Sequence, residues 1–255
     1  MKLYCRIEGS GLPVIILHGL LGSSDNWRAI SKRLSQSYKV FTVDLRNHGQ
    51  SPHSETMTYP AMADDVRELL EIEKVSDCHL VGHSLGGKVA MQFATSHPDL
   101  VSKLLIVDIA PKAYPPLQRA ILAALQQLEL QSFRSFGEID AALAPAIPEA
   151  PMRQFLMKNI ARLPSAGFQW RIDLDSIAKN YDQLTKPIIA ASSYDKPALF
   201  VRGGRSDYVA DTDLPSIRAL FTRAELVTIE TSGHWVHAEA TDEFLRILTE
   251  FLNQP

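Results

Sequence analysis

The stretch Cys78-His79-Leu80-Val81-Gly82-His83-Ser84-Leu85-Gly86-Gly87-Lys88 decides the fold. The apolar run Cys78 to Val81 feeds straight into Gly82-His83-Ser84-Leu85-Gly86, a match to Gly-x-Ser-x-Gly. That pattern marks the sharp strand-to-helix turn that lifts a serine hydroxyl above the end of a sheet. Val89, Met91, Phe93 and Ala94 continue into a helix that stops at His97-Pro98. Small residues flank Ser84 because the strained turn draws the strand and helix backbones together. Two rival motifs share these residues. Gly82-x4-Gly87-Lys88 has the outline of a phosphate-binding loop, with Leu104 to Asp108 as a strand ending in a magnesium-positioning aspartate. It fails at Val89, where a Ser or Thr hydroxyl is required. A Ser-x-x-Lys pair fails because Lys88 comes four residues after Ser84.

Working outward, short apolar runs recur with helical patterns between them: Val14 to Leu17, Val40 to Val43, Leu104 to Val107, Ala198 to Val201 and Glu225 to Ile229. They are mostly continuous, not alternating, which predicts strands buried on both faces of a parallel sheet. Met62, Val66, Leu69 and Leu70 keep helical spacing, as do Phe244, Leu248, Phe251 and Leu252. The expected class is therefore α/β, a mostly parallel doubly wound sheet. One interval is too long for a simple crossover. Residues 111–194 hold 8 of the chain's 15 prolines and only short helical patterns, such as Leu117, Ile121, Leu125, Leu128 and Met152, Phe155, Leu156, Ile160. They read as a helical cap inserted into a core made of residues 1–110 and 195–255. The alternative, two further sheet strands, has only Ile188 to Ala191 as a convincing apolar run. Lys88 then reads as a surface or cap-facing residue.

Composition narrows the partners. The 255 residues carry 26 Lys and Arg against 29 Asp and Glu, a net charge of −3, with no five-residue run of one sign. Nucleic acid is not an expected partner. No stretch approaches the roughly 18 apolar residues of a membrane span, and Met1 to Ile7 lacks the features of a signal peptide. Cys5 and Cys78 fit no metal spacing and read as free thiols in a reducing compartment. A cytoplasmic monomer or weak homodimer is expected, with no cofactor and no metal. Eight histidines do not change that, because no His-Glu-x-x-His occurs.

A serine hydroxyl is a weak nucleophile at neutral pH, so Ser84 requires a base, an acid to orient it and donors for an oxyanion. His234, in Ser232-Gly233-His234-Trp235, follows the last strand and keeps the chain order nucleophile, acid, base. Two aspartates compete to be the acid: Asp108 ends the run Leu104 to Val107, and Asp207 follows the run Ala198 to Val201. His18-Gly19-Leu20-Leu21-Gly22 supplies a Gly-rich turn after the first run, so the backbone N–H groups of Leu20 and Leu85 are the candidate oxyanion donors. Trp235 and Trp170 are candidate pocket residues.

The His-Gly-x-x-Gly at 18–22, the segment Asp44-Leu45-Arg46-Asn47-His48-Gly49-Gln50-Ser51, the serine turn and Gly233-His234-Trp235 together resemble the α/β-hydrolases over nearly the whole chain. Within that superfamily, Arg46-Asn47-His48-Gly49, Asp108-Ile109-Ala110-Pro111 and Gly233-His234-Trp235-Val236-His237-Ala238 are similar to the bacterial YbfF-type esterases. The resemblance implies a carboxylesterase with a small helical cap, acting through a covalent acyl-enzyme on short-to-medium acyl esters or acyl thioesters. It also implies Asp108 as the acid; in those relatives the later loop often has no aspartate, whereas this chain has Asp207. Residues 44–51 read as a bracing loop and His48 as a framework residue. Perhydrolysis and carbon–carbon bond hydrolysis would use the same triad, and a low-turnover small-molecule receptor could use the same fold.

Overall fold

The computed structural model describes residues 1–164 and 167–254. Seven strands form the main sheet: β1 (Cys5–Glu8), β2 (Pro13–Leu17), β3 (Lys39–Val43), β4 (Cys78–His83), β5 (Val101–Val107), β8 (Tyr194–Gly203) and β9 (Phe221–Ile229). Their order is β1-β3-β2-β4-β5-β8-β9; β1 is antiparallel at one edge and every other pairing is parallel. The six expected runs all lie in strands. β1, too short and mixed in character to be read from its sequence, is the addition.

The continuous apolar runs have a direct cause. Side chains alternate across a strand, and here both faces are covered. Ile15 and Leu17 of β2 join a core with α2 (Tyr59–Ile72) and α3 (Leu85–Ser96), whereas Val14 and Ile16 join one with α1 (Arg28–Leu34) and α10 (Thr241–Asn253). The same division splits Leu104 and Ile106 from Leu105 and Val107 on β5. Met62, Val66, Leu69 and Leu70 are all buried on α2, as are Phe244, Leu248, Phe251 and Leu252 on α10.

Between β5 and β8 the chain forms α4 (Arg119–Gln126), α5 (Phe136–Leu143), α6 (Ala150–Met157) and α7 (Leu174–Leu184), with strands β6 (Ile160–Arg162) and β7 (Phe168–Trp170) before α7. Those two strands pair antiparallel with each other in a sheet of their own. The run Ile188 to Ala191 forms no strand. The Gln92 amide takes the part of a neighbouring strand, accepting from the Ile189 N–H at 2.9 Å and donating to the Ile189 carbonyl at 2.6 Å.

Of the two placements expected for Lys88, surface or cap-facing, the structure has the second, facing residues 111–194. It is 2 % exposed, and its ammonium donates to the Lys112 carbonyl at 2.7 Å and the Lys186 carbonyl at 2.6 Å. It thus holds together the two backbone segments that lead into and out of the insertion. Those segments also bond each other, Tyr114 N–H to Thr185 O at 2.8 Å. Burial pushes the Lys88 ammonium down to about 8. Helices α8 (Leu214–Leu220) and α9 (Val236–Glu239) complete the chain. No helix among the described residues is long and apolar enough to cross a membrane. Cys5 and Cys78 are free, and burial pushes their thiols up to about 11 and about 12.

Candidate active site

Ser84 sits between β4 and α3 with φ +52° and ψ −116°, a backbone that a non-glycine residue adopts only under constraint. The constraint is the packing on either side. A Cβ at Gly82 would lie 2.3 Å from the Gly86 carbonyl oxygen, and one at Gly86 would lie 2.5 Å from the His18 carbonyl oxygen. Glycine at both positions is what lets strand, turn and neighbouring loop close on Ser84. Leu85 begins α3, so its N–H is among the unpaired donors of a helix N-terminus, where the helix dipole favours developing negative charge.

The turn carrying Leu20 closes through Gly22 N–H to Gly19 O at 3.0 Å, and two buried histidines brace it. His48 accepts the Leu21 N–H on Nε2 at 3.1 Å, and its Nδ1 lies 2.9 Å from the Arg46 carbonyl. His18 accepts the Leu45 N–H on Nε2 at 3.0 Å, and its Nδ1 lies 2.8 Å from the Gly19 carbonyl. An imidazole that accepts on one nitrogen and donates from the other is neutral. Burial agrees, pushing His18 down and His48 down to about 3. From the insertion, Asn159 donates to the Leu21 carbonyl at 2.7 Å and ties the same turn from the other side.

The 44–51 loop is built for support. Asp44 accepts the Ser24 N–H at 2.7 Å and the Gln50 N–H at 2.9 Å. Arg46 is buried and pairs with Asp65 at 2.7 Å. Asn47 has φ +66°, which asparagine tolerates, and its amide bonds both the N–H and the carbonyl of Ser54.

His234 and Asp108 meet. Nδ1 of His234 lies 2.7 Å from Oδ2 of Asp108. The Asp108 carboxylate is buried and also accepts the Gly203 N–H at 3.1 Å and the Ser206 hydroxyl. Asp207, one residue further on, is exposed on the loop after β8 and is not at hydrogen-bond distance from His234. That loop therefore serves the site through Ser206, not through its carboxylate. His83 Nε2 lies 2.9 Å from the His234 carbonyl, and the two rings sit 4.7 Å apart. Burial, with neighbouring His237 and His234, pushes His83 well below the usual histidine range, so the ring is neutral and donates from Nε2.

Tyr208, which the sequence reading did not single out, stacks on His234 with ring centroids 3.9 Å apart. Its hydroxyl receives the Gln118 amide at 3.0 Å, and its carbonyl receives the Tyr114 hydroxyl at 2.7 Å. Only its place just after Gly203-Gly204-Arg205-Ser206 could have drawn attention to it.

Ser84, His234, Leu20 and Trp235 line one cavity of about 640 Å³, together with Ile121, Met152 and Phe155 of the insertion. Phe155 packs on Trp235 at 5.5 Å. Leu20, Ser84 and Leu85 also border a second cavity of about 50 Å³. Trp170 lines neither; it lies in the β6–β7 pair, half-buried against the core. Among the described residues no group of three or more His, Cys, Asp or Glu side chains is arranged to hold a metal.

Comparison with known proteins agrees with this architecture. A family model described as alpha/beta hydrolase fold matches residues 13–241. The mouse (Mus musculus) protein named sn-1-specific diacylglycerol lipase ABHD11 is 38% identical over 98% of this chain and 84% of its own length. Esterase YbfF of Escherichia coli (strain K12) is 33% identical over 94% of this chain and 93% of its own. A solved structure described as a marine microorganism esterase superposes with a TM-score of 0.96 at 40% identity, covering 98% of this chain and 99% of that one. With the family model spanning most of the chain and a YbfF relative matched almost end to end, this protein belongs to the α/β-hydrolase family and, within it, to the YbfF type.

Proposed function

We propose that the protein is a serine carboxylesterase that hydrolyses short-to-medium acyl esters and acyl thioesters through a covalent acyl-enzyme. Ser84 is the nucleophile, His234 the general base and then acid, Asp108 the group that orients the imidazole, and the N–H groups of Leu20 and Leu85 the oxyanion donors. Residues 111–194 serve as a cap over the site. The observation that carries this reading is the 2.7 Å contact between His234 Nδ1 and buried Asp108, beside the cavity that Ser84 and His234 both line. Held at Nδ1 by a carboxylate, the imidazole leaves Nε2 for the serine proton and is stabilised once it becomes charged.

In the reaction, Ser84 Oγ adds to the ester carbonyl carbon while its proton passes to His234. The oxyanion sits at the start of α3, where fixed N–H dipoles stabilise charge without reorganising. Collapse breaks the bond to the alcohol oxygen, which takes the proton from His234 and leaves. Water, losing a proton to His234, then releases the acid and restores Ser84.

The test is labelling with a fluorophosphonate probe, wild type beside Ser84→Ala, followed by a panel of esters and thioesters. Labelling and turnover in the wild type alone are expected. An unlabelled wild type with no ester turnover contradicts the reading and leaves a small-molecule receptor as its replacement.

A further inference from the structure

The turn from Gly19 to Gly22 lies against the nucleophile. A Cβ at Gly19 would come within 3.3 Å of the Ser84 Cβ, and Gly19, Leu20 and Ser84 line the same cavity. Leu20 and Leu21 are the two central residues of this turn, which closes through Gly22 N–H to Gly19 O at 3.0 Å. Leu21 has φ +58°. A positive φ at the third residue of such a turn is ordinarily taken by glycine, and a leucine keeps it only where its surroundings hold it there. The Leu21 side chain is buried in the core, so the position needs both an apolar side chain and a left-handed backbone.

Two bonds supply the hold, and they come from different parts of the chain. The Leu21 N–H goes to Nε2 of His48 on the bracing loop at 3.1 Å, and the Leu21 carbonyl accepts from the Asn159 amide of the insertion at 2.7 Å. Both backbone polar groups of Leu21 are therefore engaged. Asn159 is buried and lines neither of the two cavities beside Ser84. It is itself fixed, since its amide also donates to the Leu156 carbonyl at 3.2 Å and its own carbonyl accepts the Arg171 N–H at 2.7 Å. It closely follows α6, whose Pro151, Met152, Phe155 and Leu156 are walls of the large cavity.

Resting on the serine esterase reading above, in which the Leu20 N–H is an oxyanion donor, we infer that Asn159 is a positioning residue for that donor. The insertion then sets the oxyanion turn as well as covering the site. An oxyanion donor works because it is fixed before the charge forms and has nothing left to reorganise, and groups of this kind must be held to within about 0.5 Å. Without the Asn159 bond, Leu21 relaxes toward negative φ and the backbone beside Leu20 turns with it. The ester still binds, because Asn159 is no part of the cavity walls, while the tetrahedral intermediate loses the aim of one of its two donors. The loss falls on kcat and spares KM.

The experiment measures kcat and KM for 4-nitrophenyl butyrate in the wild type, Asn159→Asp and Asn159→Ala. Rates are counted per Ser84 titrated to completion by a fluorophosphonate, so that a misfolded fraction does not enter. Asn159→Asp keeps the size of the side chain and replaces its donor by an acceptor. The same proteins are inhibited with 1,1,1-trifluorohexan-2-one: Ser84 Oγ adds to its carbonyl carbon, His234 takes the serine proton, and the carbonyl oxygen becomes an oxyanion with no leaving group to expel. Removing an oxyanion donor outright costs about 10²–10³ in kcat, so displacing one should cost about 10- to 100-fold. In both variants kcat should fall by that factor, KM should stay within about twofold, and the inhibition constant of the ketone should rise as kcat falls. Variants that keep kcat within about twofold of the wild type overturn this inference and leave the esterase reading standing. So do variants in which KM rises while the ketone binds as before. A wild type that neither labels nor turns over ester overturns both.

Discussion

The ring of Tyr208 lies almost flat on the imidazole of His234, with centroids 3.9 Å apart and planes 18° apart. The tyrosine is itself held from the insertion by Gln118, so one chain of contacts runs from α4's leading turn to His234. Aromatic pairs of this kind are worth about 0.5–1.5 kcal/mol, or about two- to tenfold in rate. Tyr208→Ala should therefore lower kcat by about two- to tenfold, while Tyr208→Phe, which keeps the stack and loses only the Gln118 bond, should stay close to wild type. Steady-state kinetics on one short ester checks both.

Asp108 and Asp207 make a paired test. Asp108 receives His234, the Gly203 N–H and the Ser206 hydroxyl, whereas Asp207 is exposed. Asp108→Asn should cost about 10⁴ in kcat, the loss seen when the orienting acid is removed from the serine-protease template. Asp207→Asn should leave kcat within about twofold. Turnover measured side by side, with far-UV circular dichroism to confirm folding, decides between them.

Acid should destabilise the fold through its buried histidines. Burial pushes His48 and His237 down to about 3, and burial with its two histidine neighbours pushes His83 well below its ordinary value. Unfolded, each ring titrates near about 6.5. Above that pH all are neutral in both states and contribute no pH dependence. Between about 6.5 and about 3 the unfolded chain binds protons that the folded chain refuses, so stability falls as pH falls. The urea midpoint should drop from pH 7.5 to pH 4.5. In His237→Phe, which keeps the stack on Trp27, the drop should be shallower because one such group is gone.

Lys88 should prove to be a fastener of the insertion. Lys88→Met leaves the Lys112 and Lys186 carbonyls without their donor, and losing a hydrogen bond to a charged group costs about 1.5–3 kcal/mol. The variant should show a lower urea midpoint and faster tryptic cleavage at Lys112. Equal midpoints and equal cleavage rates would mean that the segments hold through their own backbone bonds.

Much of the molecule was legible in the sequence because the information is local. A parallel sheet covered on both faces writes each strand as an unbroken apolar run, and the runs from Val14 to Leu17 through Glu225 to Ile229 fall in strands. The serine turn is contiguous, and its glycines are demanded by backbone contacts within a few residues or with the adjoining loop. Residues whose role depends on distant partners read poorly. Lys88 reads as either surface or cap-facing, of which only the second holds, because the two carbonyls that decide it are 24 and 98 residues away. Ile188 to Ala191 keeps the alternative of further strands open because nothing local reveals that the Gln92 side chain occupies its backbone.

The sequence by itself determined the sheet, the strained serine and a late histidine, since alternating burial and tight turns impose residue types position by position. It supplied two aspartates and could not rank them from spacing alone. Only the tertiary structure brought Asp108 across 126 residues to His234, left Asp207 in solvent and laid Tyr208 on the imidazole. The same holds for the unequal cavities on either side of Ser84. Their volumes depend on how α4, α6 and α7 pack over the ends of the strands, and packing is a property of side chains far apart in the chain that meet only once it has folded.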